Sequence, residues 1–118
     1  MKMNYFVFGT NNMDAAIKFY DELFDGVKLE KITPNERMTY WIGEGFAFSV
    51  AIPFDKKTAT NGNGTMLGLS VGKFDEVKRF YEKAIQLGGT CEGKPGQRGP
   101  RFSAYVRDLD NNKLCFSD

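Results

Sequence analysis

The sequence predicts an α+β fold made of two βαβββ modules, and three observations carry that expectation. Two amphipathic helical patterns stand a fixed distance apart. Each is preceded by a short alternating strand, and each is followed by short strands joined by turns. Assembled, the modules should form a curved, cleft-bearing mixed sheet with helices on its outer face.

The first strand is Tyr5-Phe6-Val7-Phe8, in which Phe6 and Phe8 share the face suited to lie beneath a helix while Tyr5 and Val7 point the other way. The first helix follows from Met13, Ala16, Ile17, Tyr20, Leu23 and Phe24 at helical spacing. Asn11 is the expected N-cap, Asp14 lies in the first turn and Gly26 sits just past the end. Strands are then expected near 27–31, 38–42 and 46–51, with Gly43-Glu44-Gly45 as a tight hairpin turn. This first module covers about 1–52. A linker rich in Lys, Thr, Asn and Gly spans 53–64.

The second module, about 65–118, repeats the plan. Phe74, Val77, Tyr81, Ala84 and Ile85 form the second apolar stripe, closed by Gly88-Gly89, and an offset of 61 residues carries Met13 onto Phe74. The same offset carries Phe6 and Phe8 onto Leu67 and Leu69, and Lys18-Phe19-Tyr20 onto Arg79-Phe80-Tyr81. One offset through strand, turn and helix marks an internal duplication. Further strands are expected near 90–93, 102–107 and 113–116, with 108–112 as a turn and 93–100 as a long Gly- and Pro-rich loop. Short hairpin-joined strands fit a parallel wound sheet poorly, and ferredoxin-like topology is the structural alternative.

At 118 residues the chain has the length of one domain with its own core. Its 11 Phe, 5 Tyr and single Trp supply that core, since burying such a side chain contributes roughly 1.5–3 kcal/mol. Sixteen Lys and Arg against fifteen Asp and Glu leave a net charge of +1, which gives no reason to expect a nucleic-acid or membrane partner. The start, Met1-Lys2-Met3-Asn4-Tyr5, runs directly into a strand pattern with no apolar leader-like stretch, and two isolated cysteines suggest no disulfide framework. A cytoplasmic location is expected. Histidine is absent, so catalysis or metal binding built on imidazole within one chain is excluded.

Two segments carry a resemblance. Gly9-Thr10-Asn11-Asn12-Met13 leading to Phe19-Tyr20, and the ending Tyr105-Val106-Arg107-Asp108-Leu109-Asp110-Asn111-Asn112-Lys113-Leu114, resemble the vicinal oxygen chelate superfamily of glyoxalase I, extradiol dioxygenases and bleomycin-resistance proteins. The ending is similar to that family's F-R-D-P-D-G-N turn, with Leu109 for Pro and Asn111 for Gly; Asn still tolerates the left-handed conformation that Gly would supply. In metal-dependent relatives each module supplies two ligands, from its first and last strands. The resemblance maps these onto Tyr5, Ser49, Met66 and Cys115. A phenol, a hydroxyl, a thioether and one thiol suit a divalent cation poorly, so no metal and no other cofactor is expected.

What remains is a candidate pocket. Tyr5, Tyr40 and Tyr105 offer aromatic faces with polar tips for a ligand, or simply fill the space; Trp41 must face away from Tyr40 by alternation. Arg98 and Arg101 precede an edge of the sheet and could clamp a carboxylate or phosphate. Cys115 reads as a small buried hydrophobe or as a nucleophile lacking a His partner, whereas Arg107-Asp108-Leu109-Asp110 reads as turn-making. The expected function is metal-independent binding of an apolar or aromatic small molecule, as in the drug-sequestering branch, by a homodimer with clefts between its chains. The enzymatic alternative is a lyase or isomerase that uses a Tyr, Glu or Cys without metal.

Overall fold

Alternation decides the first strand. In the computed structural model, which describes residues 1–118, β1 (Tyr5–Gly9) buries Phe8 and leaves Tyr5 and Val7 exposed on the opposite face. Helix α1 (Met13–Leu23) follows and buries Ala16, Phe19, Tyr20 and Leu23. Its N-cap is Asn12, not the expected Asn11: Asn12 Oδ1 accepts a 3.0 Å hydrogen bond from the Ala15 amide. Asn11 instead exchanges two hydrogen bonds with Ala59, and so pins the linker against the end of β1.

Three strands complete the first module: β2 (Glu30–Asn35), β3 (Met38–Gly43) and β4 (Phe46–Ala51). They form a four-stranded sheet in the order β1-β4-β3-β2, with β1 parallel to β4 and the remaining pairs antiparallel. The second module repeats this order. Strand β5 (Leu67–Ser70), helix α2 (Phe74–Gln86), β6 (Thr90–Arg98), β7 (Arg101–Arg107) and β8 (Lys113–Ser117) form a sheet ordered β5-β8-β7-β6, again with only the first pair parallel. The helices begin at Met13 and Phe74, so the duplication read from the sequence also describes the architecture.

Two expected boundaries shift. β2 starts three residues late and includes Pro34, which an edge strand accommodates because one of its N–H rows faces no partner. The stretch 93–100, expected as a loop, continues β6 as far as Arg98, with register shifts between Cys91 and Gly93 and again between Gly93 and Gly96. Gly93 is required there, because a Cβ would come within 2.9 Å of Tyr105 Cδ2.

One face of each sheet is covered and the other is open. Phe8, Phe48 and Val50 of the first sheet and Leu67, Val106, Leu114 and Phe116 of the second lie on the helix-covered faces, and they join the buried faces of α1 and α2 in a single hydrophobic cluster. Trp41 belongs to that cluster and donates from Nε1 to Asp21 Oδ1 at 3.0 Å, while its neighbour Tyr40 faces the other way. The turn from β7 to β8 locks the modules together, because Asp108 accepts from Tyr20 of α1 and Asn112 Nδ2 donates to the Gly9 carbonyl. Asn111 in this turn has φ of 67°, the left-handed conformation expected of it.

Candidate functional site

The open faces hold most of the residues singled out from the sequence, divided between the modules. On the first sheet Tyr40 pairs with Ser49, Ser49 pairs with Val7, and the Tyr5 and Tyr40 rings meet edge to face at 6.1 Å. Met38, Ile42, Ala47 and Ile32 extend this face by register. It is an apolar surface with two phenols. Ser49 is fully buried and its Oγ contacts only the Val50 carbonyl, at 3.3 Å.

On the second sheet Cys115 pairs with Gly68 on one side and Tyr105 on the other. Met66 lies one residue before β5 and is exposed. The Arg98 guanidinium carbon stands 5.1 Å from the Tyr105 ring centre, and Lys113 Nζ is 5.4 Å from the same centre. Burial pushes the Cys115 thiol up, opposed by a hydrogen bond from Tyr105 and by the charges of Arg98 and Lys113. Arg101 stays apart from this group. It caps the edge of the sheet, donating from Nη1 to the main-chain oxygen of Asp118 at 2.9 Å.

The four positions expected to replace metal ligands are thus set on two separate open faces. Tyr5 and Ser49 lie on one; Met66 and Cys115 flank the other. Their donor set does not fit a divalent cation, and no group of three or more Asp, Glu or Cys side chains is placed to hold one. Asp108 and Asp110 serve the turn: Asp108 Oδ1 accepts from the amides of Asp110 and Asn112, and Asp110 Oδ1 accepts from the Asn11 amide.

Two features lie outside the sequence-based reading. A lysine at a strand start ordinarily marks a solvated edge, and only the β7–β8 register brings Lys113 onto the Tyr105 face. A groove of about 400 Å³ also opens between the modules, beside the ends of the helices, lined by Phe24, Val27, Leu29, Phe46, Leu69 and Phe80 with Glu76 and Arg79 at its rim. Its lining is assembled from both modules, so no local pattern announces it. None of the expected site residues lines it.

Residues 2–116 match the model of the Glyoxalase/Bleomycin resistance protein/Dioxygenase superfamily. The chain belongs to that superfamily. A glyoxalase/bleomycin resistance protein from Albidiferax ferrireducens T118 superposes with a TM-score of 0.88 at 30% identity, covering 98% of this chain and 96% of that one. A family member from Burkholderia phytofirmans PsJN shares the fold at a TM-score of 0.81 and 16% identity, over 99% and 98% of the two chains. Fosfomycin resistance protein FosX from Mesorhizobium loti shares it at 0.70 and 13%, over 98% and 89%. No match was found among the curated proteins. The glyoxalase/bleomycin-resistance fold accounts for the βαβββ repeat and for the two open sheet faces.

Proposed function

We propose that this chain is a metal-independent small-molecule-binding protein of the glyoxalase/bleomycin-resistance type, acting as one domain in a cytoplasmic homodimer. The observation that carries the reading is the exposure of large apolar side chains on the open faces. Tyr5, Val7, Ile32 and Ile42 are left in solvent on the first sheet, with Met66 beside the second. Contiguous apolar surface of this kind marks a binding or association face. Facing sheets from two chains would enclose it and leave Tyr5, Tyr40, Tyr105 and Cys115 at a cleft, with Ser49 buried in its floor and Arg98 and Arg101 near its mouth. No helix is long and apolar enough to cross a membrane.

An apolar wall with few polar groups suits retention of a ligand more than its conversion. The lyase or isomerase alternative needs a titratable side chain in the cleft with a pKa tuned for acid-base work. Cys115 is the group on the open faces with a shifted pKa, and burial shifts it away from the reactive thiolate.

Calorimetric titration of a panel of small aromatic and apolar molecules, with a chelator present throughout, tests the reading. Saturable binding that weakens in Tyr40→Ala is the expected result. Binding that appears only after a divalent cation is added would overturn it.

A further inference from the structure

The two open faces have diverged in charge. On the first sheet the inner positions are Tyr, Val, Met, Ile, Ala and Ser, and Glu30 at the outer strand is the single charged residue in register with them. On the second sheet Arg98 and Lys113 stand by the Tyr105 ring, and Arg107 pairs with Lys113 across the ladder. Arg107 is neutralised by Glu92 at 2.6 Å, but Arg98 and Lys113 take part in no ion pair.

Arg98 is fixed in place nonetheless. Its Nη1 donates to the Gly96 and Ser103 carbonyls and its Nη2 to the Lys94 carbonyl at 2.7 Å. Carbonyls orient a guanidinium without cancelling its charge, and two of its five donors remain free. The Lys113 ammonium makes no hydrogen bond and no ion pair, and stands across the β7–β8 ladder from Arg107, whose own charge Glu92 already meets, so Lys113 is left without a counter-charge. A second observation comes from Ser103, on the same face two residues from Tyr105. Its Oγ is the one buried side-chain polar atom without a hydrogen-bond partner.

We propose that the ligand is an aromatic carboxylate, its anionic group held by Lys113 and Arg98 above Tyr105 on the second sheet and its apolar body against the Tyr5–Tyr40 face of the first sheet. This rests on the binding reading above and names its ligand class. Lys113 supplies three free donors and Arg98 a positive charge held in place by the backbone. Compact oxyanions on an aromatic body match this pairing of surfaces, while a cationic or neutral aromatic leaves the two charges unmatched.

The test compares 2-naphthoate with its neutral isostere 2-naphthamide by calorimetric titration at low and high salt, using the full chain and Lys113→Gln. The carboxylate should bind at least roughly tenfold more tightly than the amide, lose about that factor in Lys113→Gln, and weaken with added salt. The amide should be indifferent to both changes, which also shows that the variant is folded. Equal affinity for the two probes, unchanged in Lys113→Gln, overturns the anion assignment and leaves the binding reading standing. Failure of both probes to bind overturns both readings.

Discussion

Tyr20 Oη donates a 2.5 Å hydrogen bond to Asp108 Oδ2, tying helix α1 of the first module to the β7–β8 turn of the second. Both residues are buried, and Asp108 also accepts from Asn112 Nδ2 and from the amides of Asp110 and Asn112. Around the phenol ring, Phe24, Trp41 and Phe48 pack with centroids 4.6–5.8 Å away. The ring belongs to one module's core while its hydroxyl holds the other module's turn.

Tyr20→Phe keeps the ring packing and removes the hydroxyl. The loss of a buried hydrogen bond to a charged acceptor should cost about 1.5–3 kcal/mol, read as a lower urea midpoint. An unchanged midpoint would show that the modules are held by apolar packing alone.

The pH dependence follows from the same pair. Burial raises the Asp108 carboxyl above its usual range, outweighing the hydrogen bonds from Tyr20 and Asn112 that favour its charged form. The folded chain therefore keeps a proton that the unfolded chain has lost. Stability should fall as pH rises from the ordinary carboxylate value through the raised one. The Tyr20 hydroxyl, pushed up by burial and by Asp108, adds a second loss above about pH 10. Urea titrations across pH should show the acid-side decline in the native chain and lack it in Asp108→Asn, whatever the variant's absolute stability. A rise with pH across that range, present in the native chain and absent in Asp108→Asn, would contradict the assignment.

Core packing sets a separate scale. Phe48 is 1% exposed and lies against Phe8, Tyr20, Phe24 and Trp41. Phe48→Ala should cost about 3–5 kcal/mol by thermal or urea unfolding, from lost transfer energy and the cavity left behind.

Asn111 gives a finer test. At φ 67° a β-branched side chain is strained, so Asn111→Val should destabilise by about 1–2 kcal/mol. Asn111→Gly should be neutral or slightly stabilising in the same unfolding measurement, because Gly meets no Cβ penalty there.

Much of this architecture was legible in the sequence because the repeat is carried by apolar periodicity. Phe6 and Phe8 find the same roles as Leu67 and Leu69, and both helices start where the offset places them. Asp108 and Asn111 also follow their expected turn chemistry. Long-range pairings and interrupted ladders were hidden. Asn11 and Asn12 are equally good caps by type, and the choice between them depends on Ala59, far along the chain. The ladder through Gly93 and Gly96 is composed of residues that ordinarily mark a loop, because Tyr105 needs the space that a side chain would fill. The Tyr20–Asp108 bond joins residues 88 apart, and helical periodicity is silent on what a buried hydroxyl meets. For the site, alternation placed Tyr5, Tyr40, Tyr105 and Cys115 on open faces, yet nothing local brought Lys113 to the Tyr105 ring.

Association through the open faces should depend on their apolar side chains. Ile42→Asp places a charge amid Tyr40, Ala47 and Ile32 without touching the core, and should shift sedimentation from dimer to monomer at micromolar concentration. A native chain that sediments only as monomer would remove the dimer from the account.

The most direct test of metal-independent ligand binding is native mass spectrometry on protein purified from cell extract without added metal, because assembly mass, bound metal and retained ligand are read together. A metal-free dimer carrying a small organic mass is the predicted result. A divalent metal bound in stoichiometric amount would contradict it, and would mean that the Tyr5, Ser49, Met66 and Cys115 positions do not mark the lost metal site.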